Sequence, residues 1–93
     1  YDQLTASEYY ELLSSDRRRT TLDALAERSP SVDLEALAEA VARRESDAET
    51  VTDETVTGVA ATLHHVHLPK MSALGVLEYD AAETRVVSCP STR

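Results

Sequence analysis

The sequence has no isoleucine, phenylalanine or tryptophan, and tyrosine supplies all four of its large aromatic side chains. Its apolar residues are instead 13 alanines, 11 leucines and 9 valines, a set that suits thin helices packed closely together. Such side chains do not line a bulky hydrophobic pocket well, so we expect no small-molecule ligand of that kind. With 93 residues the chain has room for one core, and we predict a single domain over residues 1–93.

Cysteine and glycine are also scarce, with a single cysteine, Cys89, and two glycines, Gly58 and Gly75. One cysteine cannot form an intramolecular disulfide, which argues against a disulfide-stabilised secreted scaffold. The sequence has no glycine-rich phosphate loop, nucleophile motif, signal peptide or apolar run of the roughly 20 residues that span a membrane. We therefore expect a cytoplasmic protein without enzymatic activity, cofactor or membrane association. Because position 1 is Tyr1, the chain can be a fragment of a longer protein.

Lysine is almost absent, since one lysine and eight arginines stand against 17 acidic residues, for a net charge of -8. Strong charge of one sign destabilises a compact state by self-repulsion. Concentrated salt removes that repulsion, because the Debye length falls to roughly 3 Å at 1 M. The composition therefore predicts a protein from a high-salt cytosol, and an acidic interaction domain from a mesophile is the alternative.

Capping signals predict four helices. The Thr5-x-x-Glu8 capping box begins a first helix that ends near residue 13. Ser15 or Asp16 caps a second helix, which ends near residue 28 because Pro30 cannot continue it.

The third and fourth helices follow a short extended contact predicted at Val32. Asp33 caps the third helix, and Thr50 with Asp53 forms a capping box for the fourth, which starts near residues 51–53 and runs to residue 68. Each helix has an apolar stripe at helical spacing. The stripes are Leu34, Leu37, Ala38 and Val41 in the third helix and Val56, Val59, Leu63 and Val66 in the fourth.

The end of the fourth helix is predicted from Pro69, which removes a hydrogen bond to the carbonyl of His65 and should kink or break the helix there. After Gly75, the segments "VLEY" and "RVVSC" flank "DAAET" and predict a two-stranded hairpin. The predicted fold class is α+β and mostly helical. Four helices followed by a two-stranded β wing is the order of a winged helix-turn-helix.

Three segments carry a resemblance to a known family: "SSDRRRTTLDAL", "SVDLEALAEAVARRE" and "LHHVHLPKMSALGVLEYD". With the His-x-His-Leu-Pro-Lys run from His65 to Lys70, they resemble a family of short haloarchaeal proteins of uncharacterised function whose domain is regarded as a winged helix-turn-helix. The resemblance covers nearly the whole chain. It implies the fold, a halophilic archaeal source and a place among transcription-related proteins, but no catalytic residue and no ligand.

The histidines separate on an ideal helical wheel. Relative to Leu63, His67 lies at about 40°, His64 at about 100° and His65 at about 200°. His67 should therefore border the core and bond a backbone carbonyl, as part of a structural motif with Leu68 and Pro69, while His65 points outward. His64 and His67 are the candidate pair for a metal, but zinc needs a third ligand, such as Cys89 or an acid. We favour packing over metal binding.

The charge map suggests a nucleic-acid interface. Residues 55–77 and 84–93 contain no acid, and they cover the helix and the second wing strand that a winged helix presents to DNA. Burial of the helix is the alternative explanation. We predict base contacts from Thr55, Gly58, Thr62 and His65, and phosphate contacts from Lys70, Arg85, Arg17, Arg18 and Arg19. The alternative for the three consecutive arginines is ion pairing with Glu11, Asp16 or Asp23.

The leading functional prediction is a DNA-binding transcriptional regulator that works at high salt. A protein-interaction winged helix, such as a dimerising adaptor without DNA, is the alternative. The acidic segment of residues 45–54, next to the proposed DNA-contacting helix, supports that alternative because it would repel phosphates.

Overall fold

The computed structural model describes residues 5–28, 31–46 and 51–88. The helices are α1 (Ala6–Leu13), α2 (Asp16–Ala26), α3 (Leu34–Glu45), α4 (Asp53–Thr62) and α5 (Leu68–Ala73), and a π-helical segment spans Leu63–His67. The strands are β1 (Val32–Asp33), β2 (Glu78–Asp80) and β3 (Arg85–Ser88). Because α4, the π segment and α5 follow one another without a break, we call residues 53–73 the long helix. The predicted α+β, mostly helical class is confirmed.

The predicted starts of the first three helices are confirmed by their caps. At α1 the Thr5 hydroxyl accepts from the backbone N–H of Glu8 at 3.1 Å, and the Glu8 carboxylate accepts from the backbone N–H of Thr5 at 3.0 Å. Ser15, rather than Asp16, caps α2. The Asp33 carboxylate caps α3 by accepting a backbone N–H at 2.8 Å. Each cap satisfies a donor that the first helical turn leaves unpaired.

The fourth helix begins where expected but with another cap. Thr52 accepts the backbone N–H of Thr55 at 3.1 Å, so Thr52 and not Thr50 is the N-cap. Thr50 itself lies outside the described residues. α3 ends at Glu45 and α4 begins at Asp53, so the connection is longer than the three or four residues of an ordinary helix-turn-helix.

The predicted two-stranded hairpin is present, and a third strand, β1, joins it at the contact predicted at Val32. All pairs are antiparallel and the strand order is β1-β3-β2. Val32 lies opposite Val86, and both side chains are buried, which explains why the short contact predicted at Val32 becomes a strand at the sheet edge. We call the β2–β3 hairpin the wing. Gly75, with a φ of 80°, lies between the long helix and the wing.

The helix does not break at Pro69, one of the two predicted outcomes, but continues through the proline to Ala73. The π segment explains why. Its bonds span five residues, as between the backbone N–H of Leu68 and the carbonyl of Leu63. The wider turn relieves the clash that a proline ring makes with the carbonyl four residues earlier in an α-helix.

The π segment also rotates the residues that follow Leu63. Each of its turns holds more residues than an α turn, so Val66, predicted to face the core, is 49% exposed. Leu68 and Met71 are fully buried in its place. The core unites Leu12 of α1, Leu22 and Leu25 of α2, Leu37 and Val41 of α3, Leu63, Leu68 and Met71 of the long helix, and Val76, Leu77 and Val86.

Among the described residues, no helix has the length and apolarity to cross a membrane.

Candidate nucleic-acid interface

The outer face of the long helix holds the residues predicted to contact bases. Thr55, Gly58 and His65 are exposed and Thr62 is half-buried. Their spacing of three, four and three residues places them on one side of the helix, and no acid lies between Thr55 and Leu77. We call these four residues the outer face. Its hydrogen-bonding groups are two hydroxyls and one imidazole.

Gly58 has no structural role that the fold reveals. A Cβ at this position would meet no atom within 4 Å, so a larger side chain would fit. Glycine inside a helix costs roughly 1 kcal/mol relative to alanine. The fold would therefore be more stable with alanine here, and the bare backbone gives another molecule close access to the helix.

Acids bound the outer face at the N-terminal end of α4. Asp53 and Glu54 lie in the first turn and are exposed. Negative charge at this position stabilises the helix dipole. It also repels phosphate groups, so a nucleic acid would have to approach the helix from the Gly58 and His65 side.

Two of the three consecutive arginines are ion-paired within the chain. Arg17 forms a bidentate ion pair with Glu45, with Nε–Oε2 and Nη2–Oε1 distances of 2.7 Å. The hydrogen bond to Glu45 is the main reason why the pKa of Arg17 is raised. Arg19 pairs with Asp16 in the first turn of the same helix. The ion-pairing alternative is therefore confirmed for Arg19 with Asp16, whereas Glu45, the partner of Arg17, was not among the predicted partners.

Arg18 turns toward the protein. Its Nε donates to Nδ1 of His67 at 3.2 Å, and its Nη1 donates to the carbonyl of Glu11 at 2.6 Å. His67 is buried, with 9% of its surface exposed. The expected core position of His67 is confirmed, but its hydrogen-bond partner is an arginine side chain instead of the expected backbone carbonyl.

The other two predicted phosphate contacts, Lys70 and Arg85, also have partners in the chain. The Nζ of Lys70 lies 2.9 Å from Oε2 of Glu11. The Nε of Arg85 donates to the hydroxyl of Ser31 at 2.7 Å. In the sheet, Arg85 lies between Asp33 on one neighbouring strand and Asp80 on the other. Directly opposite residues share one face of a sheet, so Asp33, Asp80 and Arg85 lie on the same face.

The histidines do not form a common site. Nδ1 of His64 and the hydroxyl of Tyr79 share a hydrogen bond of 2.7 Å, whereas Nδ1 of His67 accepts from Arg18. His65 is exposed. Within residues 5–28, 31–46 and 51–88, no three His, Cys, Asp or Glu residues lie together as a metal site would require, and Cys89 is outside these ranges.

The predicted DNA-contacting residues therefore fall into two groups. Arg18 contacts the buried His67, so the arginine cluster lies on the inner side of the long helix, and His65 lies on the outer side. The structure brings together Thr55, Gly58, Thr62 and His65 but does not bring the arginines to them. Two acids that the sequence did not assign correctly neutralise these cations: Glu11 pairs with Lys70, and Glu45 pairs with Arg17. Glu11 was predicted only as a partner of the arginines, and Glu45 was not predicted as a partner. The sequence separation of 28 residues between Arg17 and Glu45 leaves no local signal for that pair.

Comparison with known proteins identifies one family. A model of a domain of unknown function, DUF7344, matches residues 10–87. No curated protein and no solved structure matches the sequence.

Proposed function

Because the chain belongs to the DUF7344 family of domains of unknown function, its activity has to be inferred from its own residues, and we propose that it binds DNA as a winged helix-turn-helix domain. In this proposal it is a cytoplasmic transcriptional regulator without enzymatic activity. The outer face of the long helix enters the major groove, and the wing lies beside the phosphate backbone.

The topology supports the winged-helix part of the proposal. The element order α2, β1, α3, α4, β2, β3 and the strand order β1-β3-β2 are the arrangement that a winged helix would have. In this fold the second helix of the pair, here α4, is the one that enters the major groove. A fold alone does not establish function, so the outer face has to carry the proposal.

The acid-free outer face is the observation that carries the proposal. On a chain of net charge -8, the exposed Thr55, Gly58 and His65 and the half-buried Thr62 form a surface without carboxylates. The hydroxyls and the imidazole are groups that bond base edges, and the bare backbone at Gly58 permits close contact. The major groove, about 12 Å wide, admits a helix of this kind.

The phosphate contacts are weaker in this proposal than the base contacts. Lys70 and Arg19 are engaged in exposed ion pairs, which contribute roughly 0–1 kcal/mol each, so phosphates can replace their partners at small cost. Release of counterions, the usual source of phosphate affinity, contributes little at high salt. Base contacts and apolar burial would then supply the affinity in a halophile.

The test is enrichment of sequences from fragmented genomic DNA in multimolar KCl. Gly58→Gln is the informative variant, because the added side chain has free space and replaces a poor helix former. We expect it to raise the melting temperature while abolishing enrichment. Ala36→Gln, on an exposed position of α3, is the matched control and should bind as the wild type does. Failure of the wild type to enrich any sequence would end the DNA proposal.

A protein partner is the second candidate, because each of the five predicted phosphate contacts is already bonded within the chain. A second copy is the simplest such partner, since the acid-free outer face lets two acidic chains approach without charge repulsion. Sedimentation equilibrium distinguishes the two functions. A dimer that Gly58→Gln converts to a monomer, together with no DNA enrichment, would favour the adaptor.

A further inference from the structure

Six side chains form a polar cluster where the long helix meets the other three helices. Glu11 comes from α1, Arg17 and Arg18 from α2, Glu45 from α3, and His67 and Lys70 from the long helix. We call this set the polar junction. Arg17 bonds Glu45, Lys70 pairs with Glu11, and Arg18 bridges His67 and the carbonyl of Glu11. None of these residues belongs to the outer face and only Lys70 is a proposed phosphate contact, so DNA binding does not explain the bonds of Arg17, Arg18 and His67.

The Arg18–His67 bond fixes the protonation state of the histidine. A guanidinium has only donors and keeps its charge at every physiological pH. Nδ1 of His67 lies 3.2 Å from Nε of Arg18 and must therefore accept with a lone pair. The imidazole is neutral in this structure, with its proton on Nε2.

The charges around His67 come from three neighbouring helices and from the long helix itself. On α2, Arg18 and Arg17 both disfavour an imidazolium, whereas Glu45 on α3 favours it. Lys70, on the histidine's own helix, and the carboxylate of Glu11 on α1 neutralise each other. Burial is the largest effect and, with Arg18 next, it lowers the pKa of His67 below the ordinary value of 6.5.

Protonation of His67 is incompatible with the observed contacts. Both ring nitrogens of an imidazolium are donors, so an N–H would point at the guanidinium of Arg18. Two cations at this distance repel each other, and one of them has to move. Arg18 is the more mobile, since it is half-buried and on a long side chain, whereas His67 is held in the π segment.

We propose that the polar junction is a proton-operated latch, in which protonation of His67 expels Arg18 and loosens α1 and the start of α2 from the long helix. The departure of Arg18 also breaks its bond to the carbonyl of Glu11. α1 has 8 residues, too few for a stable helix on its own, so it depends on such contacts. The latch is independent of the proposed DNA binding.

The first measurement is ¹⁵N NMR of the imidazole rings. We expect His67 to carry its proton on Nε2 and to titrate with a pKa below the ordinary histidine value of 6.5. A proton on Nδ1, or a pKa of His67 at or above 6.5, would overturn the proposal. Arg18→Gln keeps a donor but removes the charge, so it should move the titration of His67 to higher pH.

The second measurement is amide hydrogen exchange at pH about 8 and about 5, corrected for the intrinsic rate. Protection of the amides at the C-terminal end of α1 should fall by about tenfold at the lower pH. His67→Asn places an uncharged acceptor at the position of Nδ1 and should remove this pH dependence. His65→Asn is the matched control and should keep it. Equal pH dependence in His67→Asn and the wild type would contradict the latch, and the NMR titration decides the question if His67→Asn does not fold.

Discussion

The imidazole of His64 and the phenol of Tyr79 share a hydrogen bond of 2.7 Å across 15 positions of the sequence. The two rings also meet edge to face, with centroids 5.9 Å apart. His64 lies in the π segment and Tyr79 in β2, so this contact fixes the long helix relative to the wing. Any molecule that contacts both elements meets them at an angle that this pair helps to set.

Tyr79→Phe should destabilise the protein by about 1 kcal/mol, because it removes the hydroxyl and leaves the ring in place. Chemical denaturation measures the free energy of unfolding. Tyr10→Phe is the matched control, since Tyr10 is 77% exposed, and we expect no measurable change there. Equal effects of the two substitutions would show that the His64–Tyr79 bond contributes nothing.

Tyr79 should also make the free energy of unfolding decrease at alkaline pH. Burial, followed by the nearby Asp80, raises the pKa of Tyr79 above its ordinary value of 10.0. The folded state therefore keeps a proton that the unfolded state releases, so the contribution of Tyr79 is full below pH 10.0 and is lost as the pH rises through the folded pKa. Denaturation curves between pH about 9 and about 11 should show a smaller decline for Tyr79→Phe than for the wild type.

The ion pair between Arg17 and Glu45 should contribute more to stability than the pair between Arg43 and Glu39. The side chains of the first pair are 29% and 26% exposed, and those of the second 57% and 53%. The first pair is also bidentate and joins α2 to α3. We expect Glu45→Gln to cost about 1 kcal/mol and Glu39→Gln less than about 0.5 kcal/mol. Urea denaturation of both variants checks this order, and a reversed order would contradict it.

The two glycines should respond to alanine in opposite directions. Gly75 has a φ of 80°, a conformation that costs a side-chain-bearing residue roughly 1–2 kcal/mol. Gly58 lies inside α4 with free space around it, so alanine should stabilise the helix by up to about 1 kcal/mol. Melting temperatures of Gly75→Ala and Gly58→Ala should shift down and up respectively. A lower melting temperature for Gly58→Ala would mean that the glycine has a structural role.

Local signals predicted the helices well. The capping groups of Thr5, Ser15 and Asp33 act within three residues, so their effect is visible in the sequence. The strand order was not predictable, because β1 has two residues and forms only through its pairing with β3. The π segment was missed because a helical wheel assumes 100° per residue, and this error placed Val66 in the core.

The candidate site was predictable only in part. The outward position of His65 and the buried position of His67 follow from helix geometry, and both are confirmed. The pairing of Lys70 with Glu11 and of Arg17 with Glu45 depends on how distant helices pack, which no local pattern encodes. The same limit applies to Arg18, whose partner His67 lies 49 residues away.

The π segment divides the long helix into two parts whose core-facing sides point in different directions. Before it, α4 packs against α3, and after it, α5 packs against β2. A single α-helix would not aim both halves at their partners, because the one additional residue changes the phase of everything that follows by about 100°. Deletion of Val66 alone should therefore be more harmful than its substitution by any side chain, since it would turn Leu68 and Met71 out of the core together.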